Sequence, residues 1–344
     1  MFEITKLNLQ LFAEYNVNVT TQTGMHTPSS GSPYSQDLSA ENKTHYDMTL
    51  IDEAGPYLVH DQFGQKRPIP RNGGKKIEFR KYASFPKALT PITEGVTPDG
   101  RKLSVTTIEA EVAQYGDYVT LSDVLDLTAI DNNVVEATKQ CGRQAGLTLD
   151  TVTRNVLQSG TNVHYCGGAA GRDSLTADST LKVKDVKKIV ATLKAANAPK
   201  INGSYVAIIH PYVAHDLMSD PEWIDAHKYA SPENIYEGEI GKVAGVRFVE
   251  TSEAKIYKDS TCPAGLAVFG CLFLADGAYG VTEITGGGLQ TIIKQLGSSG
   301  TADPLNQRSS VGWKAIKTAE ILIDAYMVRA ECCSSFSAGI DAAN

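Results

Sequence analysis

The sequence predicts a mixed α+β fold in which strands and helices follow one another without regular alternation. Two runs of alternating apolar and polar residues come first, one long helical stretch follows, and several short apolar runs occupy the rest of the chain. A doubly wound parallel sheet would need strands and helices in strict turn, which this order does not supply. The order of the elements therefore indicates a mixed α+β architecture.

Composition places the chain among ordinary soluble globular proteins, since 42% of its 344 residues are hydrophobic and 21% are charged. The net charge of −7 argues against a general nucleic-acid binder, because neutralising phosphates requires clustered Lys and Arg. No apolar stretch approaches the roughly 18 residues of a membrane span, and the N-terminus does not resemble a signal peptide. We expect no membrane association.

Six cysteines are present, and none is spaced as a CxxC pair. Their pattern favours reduced thiols over a zinc site or a thioredoxin motif. Cys332 and Cys333 are adjacent, so in a strand their side chains would point to opposite faces of the sheet.

The first quarter of the chain predicts an arm followed by a ribbon. Residues 14–37 are rich in Thr, Ser, Gly, Asn and Pro, which indicates an extended arm, and a short helix is expected at 39–54. Residues 75–82 and 102–112 alternate, and 115–121 is again strand-like. Together they predict a long ribbon over 75–121 with an irregular, Pro- and Gly-rich tip.

Such a ribbon is too thin to be stable alone, because two strands bury little surface. It must lie against its own chain or a neighbour, and we expect the tip, about residues 85–100, to lie on a neighbouring subunit. The predicted intersubunit residues are Arg80, Phe85, Leu89, Ile92 and Val96.

One long helix is predicted over 131–159, with Val152 and Val156 on the stripe that packs against the core. A second helix is predicted at 183–197, with an apolar stripe and an outer lysine face. Strands are predicted at 204–210, 245–251, 266–275 and 289–294, with a helix at 211–218 opened by a proline. Residues 318–332 suit either a strand or a helix.

Motifs for chemistry are weak. His210 and His215 are five residues apart across a proline, which is not the spacing of a helical metal site. Cys166 follows His164 in a glycine-rich loop without an orienting acid, and the three glycines at 286–288 lack the Lys-Ser or Lys-Thr of a phosphate loop. We therefore expect no enzyme activity, no metal and no cofactor.

A basic patch surrounds the start of the ribbon. It consists of Lys66, Arg67, Arg71, Lys75, Lys76, Arg80 and Lys81. The patch could contact DNA, or it could contact an acidic surface of another copy such as Glu233, Glu237 and Glu239. The negative net charge favours subunit contact.

Several segments resemble the major capsid proteins of tailed bacteriophages, in the branch of the coliphage N-four type. They are LVHDQFGQKRPIP (58–70), IEFR (77–80), LTPITEGVTP (89–98), YVAIIHP (205–211), GEIGKVAGVRFVET (238–251) and SVGWK (310–314). The opening LNLQLFA (7–13) is also similar to the start of many phage structural proteins. The resemblance covers most of the chain, and the order of the segments carries it.

The resemblance implies a Hong Kong 97-like (HK97-like) fold. It divides the chain into an N-terminal arm with a short helix (1–56), an extended loop with flanking strands (57–122), a spine helix with peripheral-domain elements (123–200), and an axial domain with returning peripheral strands (201–344). No Lys–Asn–Glu trio for covalent cross-linking is evident.

The function implied is self-assembly into pentamers and hexamers that form an icosahedral shell around double-stranded DNA. The implied partners are other copies, a scaffolding protein, a portal, a decoration protein and packaged DNA bound without sequence preference. The implied location is the virion, assembled in the cytoplasm of the bacterial host. Alternatives are an encapsulin-like nanocompartment shell, an α+β enzyme, and a tail or head-joining component.

Overall fold

The computed structural model describes residues 50, 53–54, 58–70, 72, 74–82, 85–92, 94–95, 97, 100–128, 133–228, 241–283, 287–298, 303–340 and 343–344. The predicted arm at 14–37 lies outside the described residues. So does most of the predicted helix at 39–54, of which Leu50, Glu53 and Ala54 are described and are helical. No helix in the described part of the chain is both long enough and apolar enough to cross a bilayer.

Strands and helices follow the mixed order that the sequence predicts. The strands are β1 (Gln65–Lys66), β2 (Lys76–Tyr82), β3 (Val105–Glu111), β4 (Ala113–Ser122), β5 (Val163–Tyr165), β6 (Tyr205–Ile209), β7 (Lys242–Val243), β8 (Val246–Glu250), β9 (Lys255–Tyr257), β10 (Val268–Leu274), β11 (Tyr279–Glu283), β12 (Gln290–Lys294), β13 (Arg308–Ile321) and β14 (Met327–Cys332). The helices are α1 (Asp123–Thr128), α2 (Asn133–Leu157), α3 (Val183–Ala195), α4 (Pro211–Met218) and α5 (Pro221–Lys228).

The chain forms two compact units. The first comprises Met1–Gly55, Gly116–Ala145 and Leu289–Lys314, and the second comprises Pro56–Tyr115, Gly146–Gly288 and Ala315–Asn344. The predicted strands at 204–210, 245–251, 266–275 and 289–294 are confirmed as β6, β8, β10 and β12.

In the first unit, β12 pairs antiparallel with the start of β13, and β4 pairs with β13 as well. The last pairing corrects the predicted ribbon, which ends with β3 and does not extend to residue 121. The physical reason is a close approach of two backbones. A Cβ on Gly116 would lie 2.6 Å from the Trp313 carbonyl oxygen, and one on Gly312 would lie 2.9 Å from that of Asp117.

The second unit contains a seven-stranded sheet in the order β5–β14–β10–β6–β8–β7, with β9 also paired to β10. Every residue of β6 and β10 is buried, as their unbroken apolar runs predict. Helix α3 buries Val186, Ile189, Val190 and Leu193 in the core, which confirms the predicted stripe, and its lysines are exposed. The predicted helix at 211–218 is confirmed as α4, with Pro211 in its first turn.

Residues 318–332, whose sequence suited either a strand or a helix, form strands. Residues 318–332 cover the end of β13, a short 3₁₀ turn at Asp324–Tyr326, and β14. The end of β13 pairs with β11, and β14 pairs with both β10 and β5. Cys332 and Cys333 contact different core clusters, which confirms that adjacent positions face opposite ways.

Helix α2 is slightly shorter than the 131–159 predicted, because it ends at Leu157 and residues 131–132 lie outside the described part. Its deeply buried positions in the second unit include Leu149, Thr153 and Leu157. Val152 and Val156, the predicted core positions, are only partly buried. The face of α2 that packs inside the chain is therefore rotated from the predicted stripe.

A buried polar cluster ties the segment before the ribbon to α2. We call it the anchoring cluster; its members are His60, Asp61, Asp150, Thr153, Tyr279 and Lys317. Asp150 accepts from the backbone N–H of His60 at 2.7 Å and lies 2.7 Å from its ring nitrogen Nδ1.

Asp61 is held from two other elements. It accepts from the Thr153 hydroxyl at 2.6 Å and from the ammonium of Lys317, which also donates to the Leu149 carbonyl at 3.1 Å. The Tyr279 hydroxyl donates to the His60 carbonyl, and burial raises the pKa of Tyr279. Directional bonds from α2, β11 and β13 thus converge on two consecutive residues.

Removing the cation of this cluster should strongly destabilise the subunit. Lys317→Met takes the cation away from the partly buried carboxylate of Asp61, which keeps only the Thr153 hydrogen bond, so we expect a loss of about 1.5–3 kcal/mol in the free energy of unfolding. Urea unfolding of the unassembled subunit measures this loss in the free energy of unfolding. The double variant Lys317→Met, Asp61→Leu should recover most of the loss, and Lys184→Met on the exposed face of α3 is the control. A single variant as stable as the control would refute the role of the pair.

Because the buried face of α2 is rotated from the predicted stripe, we expect Leu157 to matter more for stability than Val152. Leu157 is fully buried in a core cluster, so Leu157→Ala should cost about 2–5 kcal/mol, whereas Val152→Ala should cost clearly less because Val152 is partly exposed. Thermal unfolding of the two variants side by side gives the comparison. Equal losses would restore the predicted stripe.

Candidate assembly surface

The root of the ribbon packs against the rest of the second unit, to which the ribbon belongs. Strands β2 and β3 pair antiparallel, with Phe79 opposite Ile108. As the alternation predicts, Phe79 is buried while Glu78 and Arg80 are exposed. A Cβ on Gly280 would lie 2.8 Å from the tip of the Phe79 ring, so the absence of a side chain there admits the ring. The ribbon therefore leaves the core from a fixed point.

Beyond the last strand pair, Tyr82 with Val105, the ribbon carries exposed apolar side chains. Leu89 is 82% exposed and Ile92 is 74% exposed, and Phe85 and Leu103 are also exposed. The tip is the predicted segment of about residues 85–100, and Leu103 follows it. Val96, also predicted to contact a neighbour, lies outside the described residues. An apolar surface of this kind on a folded chain marks an interaction site.

The basic patch surrounds the root. Lys66, Arg67, Lys75, Lys76 and Arg80 are exposed. Arg71 lies outside the described residues, as do the side chain of Lys81 and the acidic residues Glu233, Glu237 and Glu239.

Contacts inside the patch leave its charge in solvent. Lys76 lies 3.3 Å from Glu109, Arg80 lies 3.8 Å from Glu78, and the guanidinium of Arg67 lies 5.9 Å from the centre of the Phe79 ring. Exposed pairs of this kind contribute little to stability, so these groups stay available to a partner.

A second exposed apolar surface lies in the first unit, and the sequence analysis missed it. Tyr118 on β4 and Val124 and Leu127 on α1 are all more than half exposed. Consecutive apolar residues in a strand, here Tyr118 and Val119, place side chains on both faces, and that was the available signal.

A series of side-chain hydrogen bonds holds β4, the strand that carries Tyr118. The Trp313 indole N–H donates to Gln144 at 3.1 Å, and the Gln144 amide donates to Asp117 at 2.6 Å. The Gln144 hydrogen bond, with a second from the Tyr118 N–H, lowers the pKa of Asp117. Asp117 is thus held ionised against α2, and β4 keeps its position.

The residues considered for chemistry have structural roles. The His210 ring accepts from the Tyr212 N–H at 3.2 Å and caps α4, and burial lowers the pKa of His210. His164 lies 3.4 Å from Asp185, and the Gly287 carbonyl accepts from the N–H of Ile316. Among the residues that the structure describes, no group of three His, Cys, Asp or Glu is placed to hold a metal ion.

All six cysteines are free thiols, and only Cys262 is partly exposed. Cys271 Sγ and Cys332 Sγ lie 3.9 Å apart in the core. Hydrogen bonding with Cys166 and Cys271, together with burial, raises the pKa of Cys332, and burial raises the pKa of Cys333 to about 11. Burial also raises the pKa values of Cys141 and Cys262. These thiols are not poised as nucleophiles.

Comparison with known proteins identifies the family and the fold. A family model described as phage capsid protein matches residues 91–281, more than half of the chain. A search of curated proteins found no significant match.

Solved structures with a similar fold include three phage capsids. The capsid of cyanophage Pam1 has a TM-score of 0.65 at 14% identity, covering 91% of this chain and 99% of that one. The capsid of Ralstonia phage GP4 has a TM-score of 0.62 at 15% identity, covering 92% of this chain and 98% of that one. The capsid of cyanophage P-SCSP1u has a TM-score of 0.61 at 14% identity, covering 79% of this chain and 87% of that one.

The architecture is thus the HK97-like capsid fold that the resemblance implied. The matched residues run from the ribbon tip through α2 and the buried sheet of the second unit to β11. The chain belongs to the phage capsid protein family.

Proposed function

We propose that this chain is a major capsid protein that assembles into pentamers and hexamers and closes an icosahedral head shell around double-stranded DNA. The observation that carries the proposal is the exposed apolar tip on a ribbon whose root is firmly held. The described apolar side chains of the tip are not covered by their own chain, and they gain free energy when another copy covers them.

The energetics suit reversible assembly. Each large apolar side chain of the tip could contribute about 1.5–3 kcal/mol if a neighbour buried it fully. The contact is heterologous, because the tip of one subunit meets a different surface of the next. Many such contacts, each weak enough to reverse errors, sum to a stable shell through multivalency.

We assign the parts of the chain by analogy with the fold and place it in the N-four-like branch. Residues 1–56 would be the arm, 57–122 the extended loop, 123–200 the spine helix and peripheral elements, and 201–344 the axial domain with returning strands. The six segments between residues 58 and 314 that resemble this branch support the assignment from residue 57 onwards.

The partners follow from the same proposal. Besides other copies, they are a scaffolding protein, a portal, a decoration protein and packaged DNA held without sequence preference. The protein would be assembled in the cytoplasm of the host and carried in the virion. A net charge of −7 supports loose contact with DNA, because it limits adhesion to phosphates.

Replacing residues 89–98 with a short Gly-Ser linker should abolish shells and spare the subunit. The core lies elsewhere, so thermal unfolding of the isolated subunit should barely change, whereas electron microscopy should show no particles or fragile ones. Changing Gln295 and Leu296, which are exposed in the turn after β12, to Gly and Ser is the control for replacing exposed residues.

Two outcomes would contradict this reasoning. If the tip variant unfolds, the tip belongs to the chain's own core. If it forms normal shells, the tip is not an intersubunit contact.

The basic patch should act between subunits. Lys66→Gln combined with Lys75→Gln should lower the yield of particles that contain no DNA, because the neighbour loses complementary charge. Particle yield on sucrose gradients at several salt concentrations measures the effect, with Lys184→Gln combined with Lys194→Gln on α3 as the matched control. A defect confined to DNA-filled particles would instead assign the patch to the genome.

A further inference from the structure

A cavity of about 300 Å³ opens within the second unit, where the ribbon meets the segment after β13. The ribbon and the segment after β13 both contribute apolar residues to its lining. Phe79 and Ile108 belong to the ribbon, and Leu322, Ile323 and Tyr326 follow β13. Its rim is charged with both signs, by Arg67, Arg80 and Asp276. The cavity combines an apolar part with several polar groups, and its volume lies at the small end of the range for binding pockets.

The apolar part of the cavity suits aliphatic side chains. A phosphate could meet the guanidinium groups of Arg67 and Arg80, but it would also lie beside apolar walls and the carboxylate of Asp276, which opposes an anion. An aliphatic side chain would exchange water for contact with Ile108, Leu322 and Ile323. A volume of this size holds a few such side chains.

The tip of the ribbon has the complementary chemistry. Leu89 and Ile92 are exposed aliphatic groups close together in sequence, with exposed Lys87 before them and exposed Glu94 after them. Lys87 can pair with Asp276, and Glu94 can pair with Arg67 or Arg80. An apolar centre flanked by both signs therefore faces an apolar floor with a rim of both signs.

Within one chain the two features do not cover each other. The cavity is open, and Leu89 and Ile92 are among the most exposed apolar residues described. We propose that the cavity at the root of the ribbon is the receptor for Leu89 and Ile92 of the tip of a second copy. This inference rests on the proposed function and names the surface on which the tip docks.

The consequence is a head-to-tail chain of contacts. Each copy offers one tip and one receptor, so every added subunit presents a new tip to the next, and the contact closes when a ring is complete. A second copy of the same chain is thus the occupant, and a scaffolding segment or the chain's own arm is an alternative that the experiment separates.

Disulfide trapping tests the inference. Leu89→Cys and Ile323→Cys are made in separate proteins, each with Cys262→Ser to remove the one partly exposed thiol. The two proteins are mixed, assembled and oxidised, and a non-reducing gel is run. A covalent dimer should form only in the mixture. Ile224→Cys, an exposed apolar position on α5 outside the cavity, replaces Ile323→Cys in the control.

Each result decides between possibilities. Shells without the Leu89–Ile323 dimer overturn the inference and leave the proposed function standing. A dimer from Leu89→Cys alone, or an equal dimer with Ile224→Cys, also overturns it, since the tip would then lack this receptor. Failure of the unsubstituted protein to form particles overturns the proposed function itself. If Leu89→Cys blocks assembly, Ile92→Cys takes its place with the same expectations.

Discussion

The anchoring cluster is the constraint on which the rest of the structure depends. Two consecutive residues, His60 and Asp61, are fixed by groups from α2, β11 and β13. Apolar packing alone would allow the segment to slide, but hydrogen bonds to buried carboxylates have direction and a high cost of breakage. Strand β2 follows this segment along the chain, so the anchoring cluster and the packing of Phe79 against Gly280 together fix the point from which the ribbon leaves the core.

Sequence patterns predicted elements that depend on near neighbours. The alternation around Phe79 and the stripe on α3 survive in the structure because burial there follows the local period. The anchoring cluster could not be foreseen, since Asp61 finds Thr153 at a separation of 92 residues and Lys317 at 256. The pairing of β4 with β13 was missed for the same reason, although Gly116 and Gly312 permit it.

The sequence predicted only part of the candidate assembly surface. Exposed Leu89 and Ile92 stand out because a Pro- and Gly-rich tip cannot bury them locally. The cavity at the root needs Ile108 and Ile323 side by side, which only the folded chain brings about. Val152 and Val156 illustrate the opposite error, because a helical stripe gives a period but not the rotation of the helix against its core.

The buried thiols bear on how such a particle would age. Oxidation of cysteine proceeds through the thiolate, and here burial both blocks access to five of the six sulfur atoms and raises the pKa of several, Cys333 to about 11. In a shell released from a lysed cell into aerated water, the five buried thiols would stay reduced without any reducing agent. The same arrangement leaves Cys262 as the natural point of attachment for a fluorophore, so a dye could be added without altering the sequence.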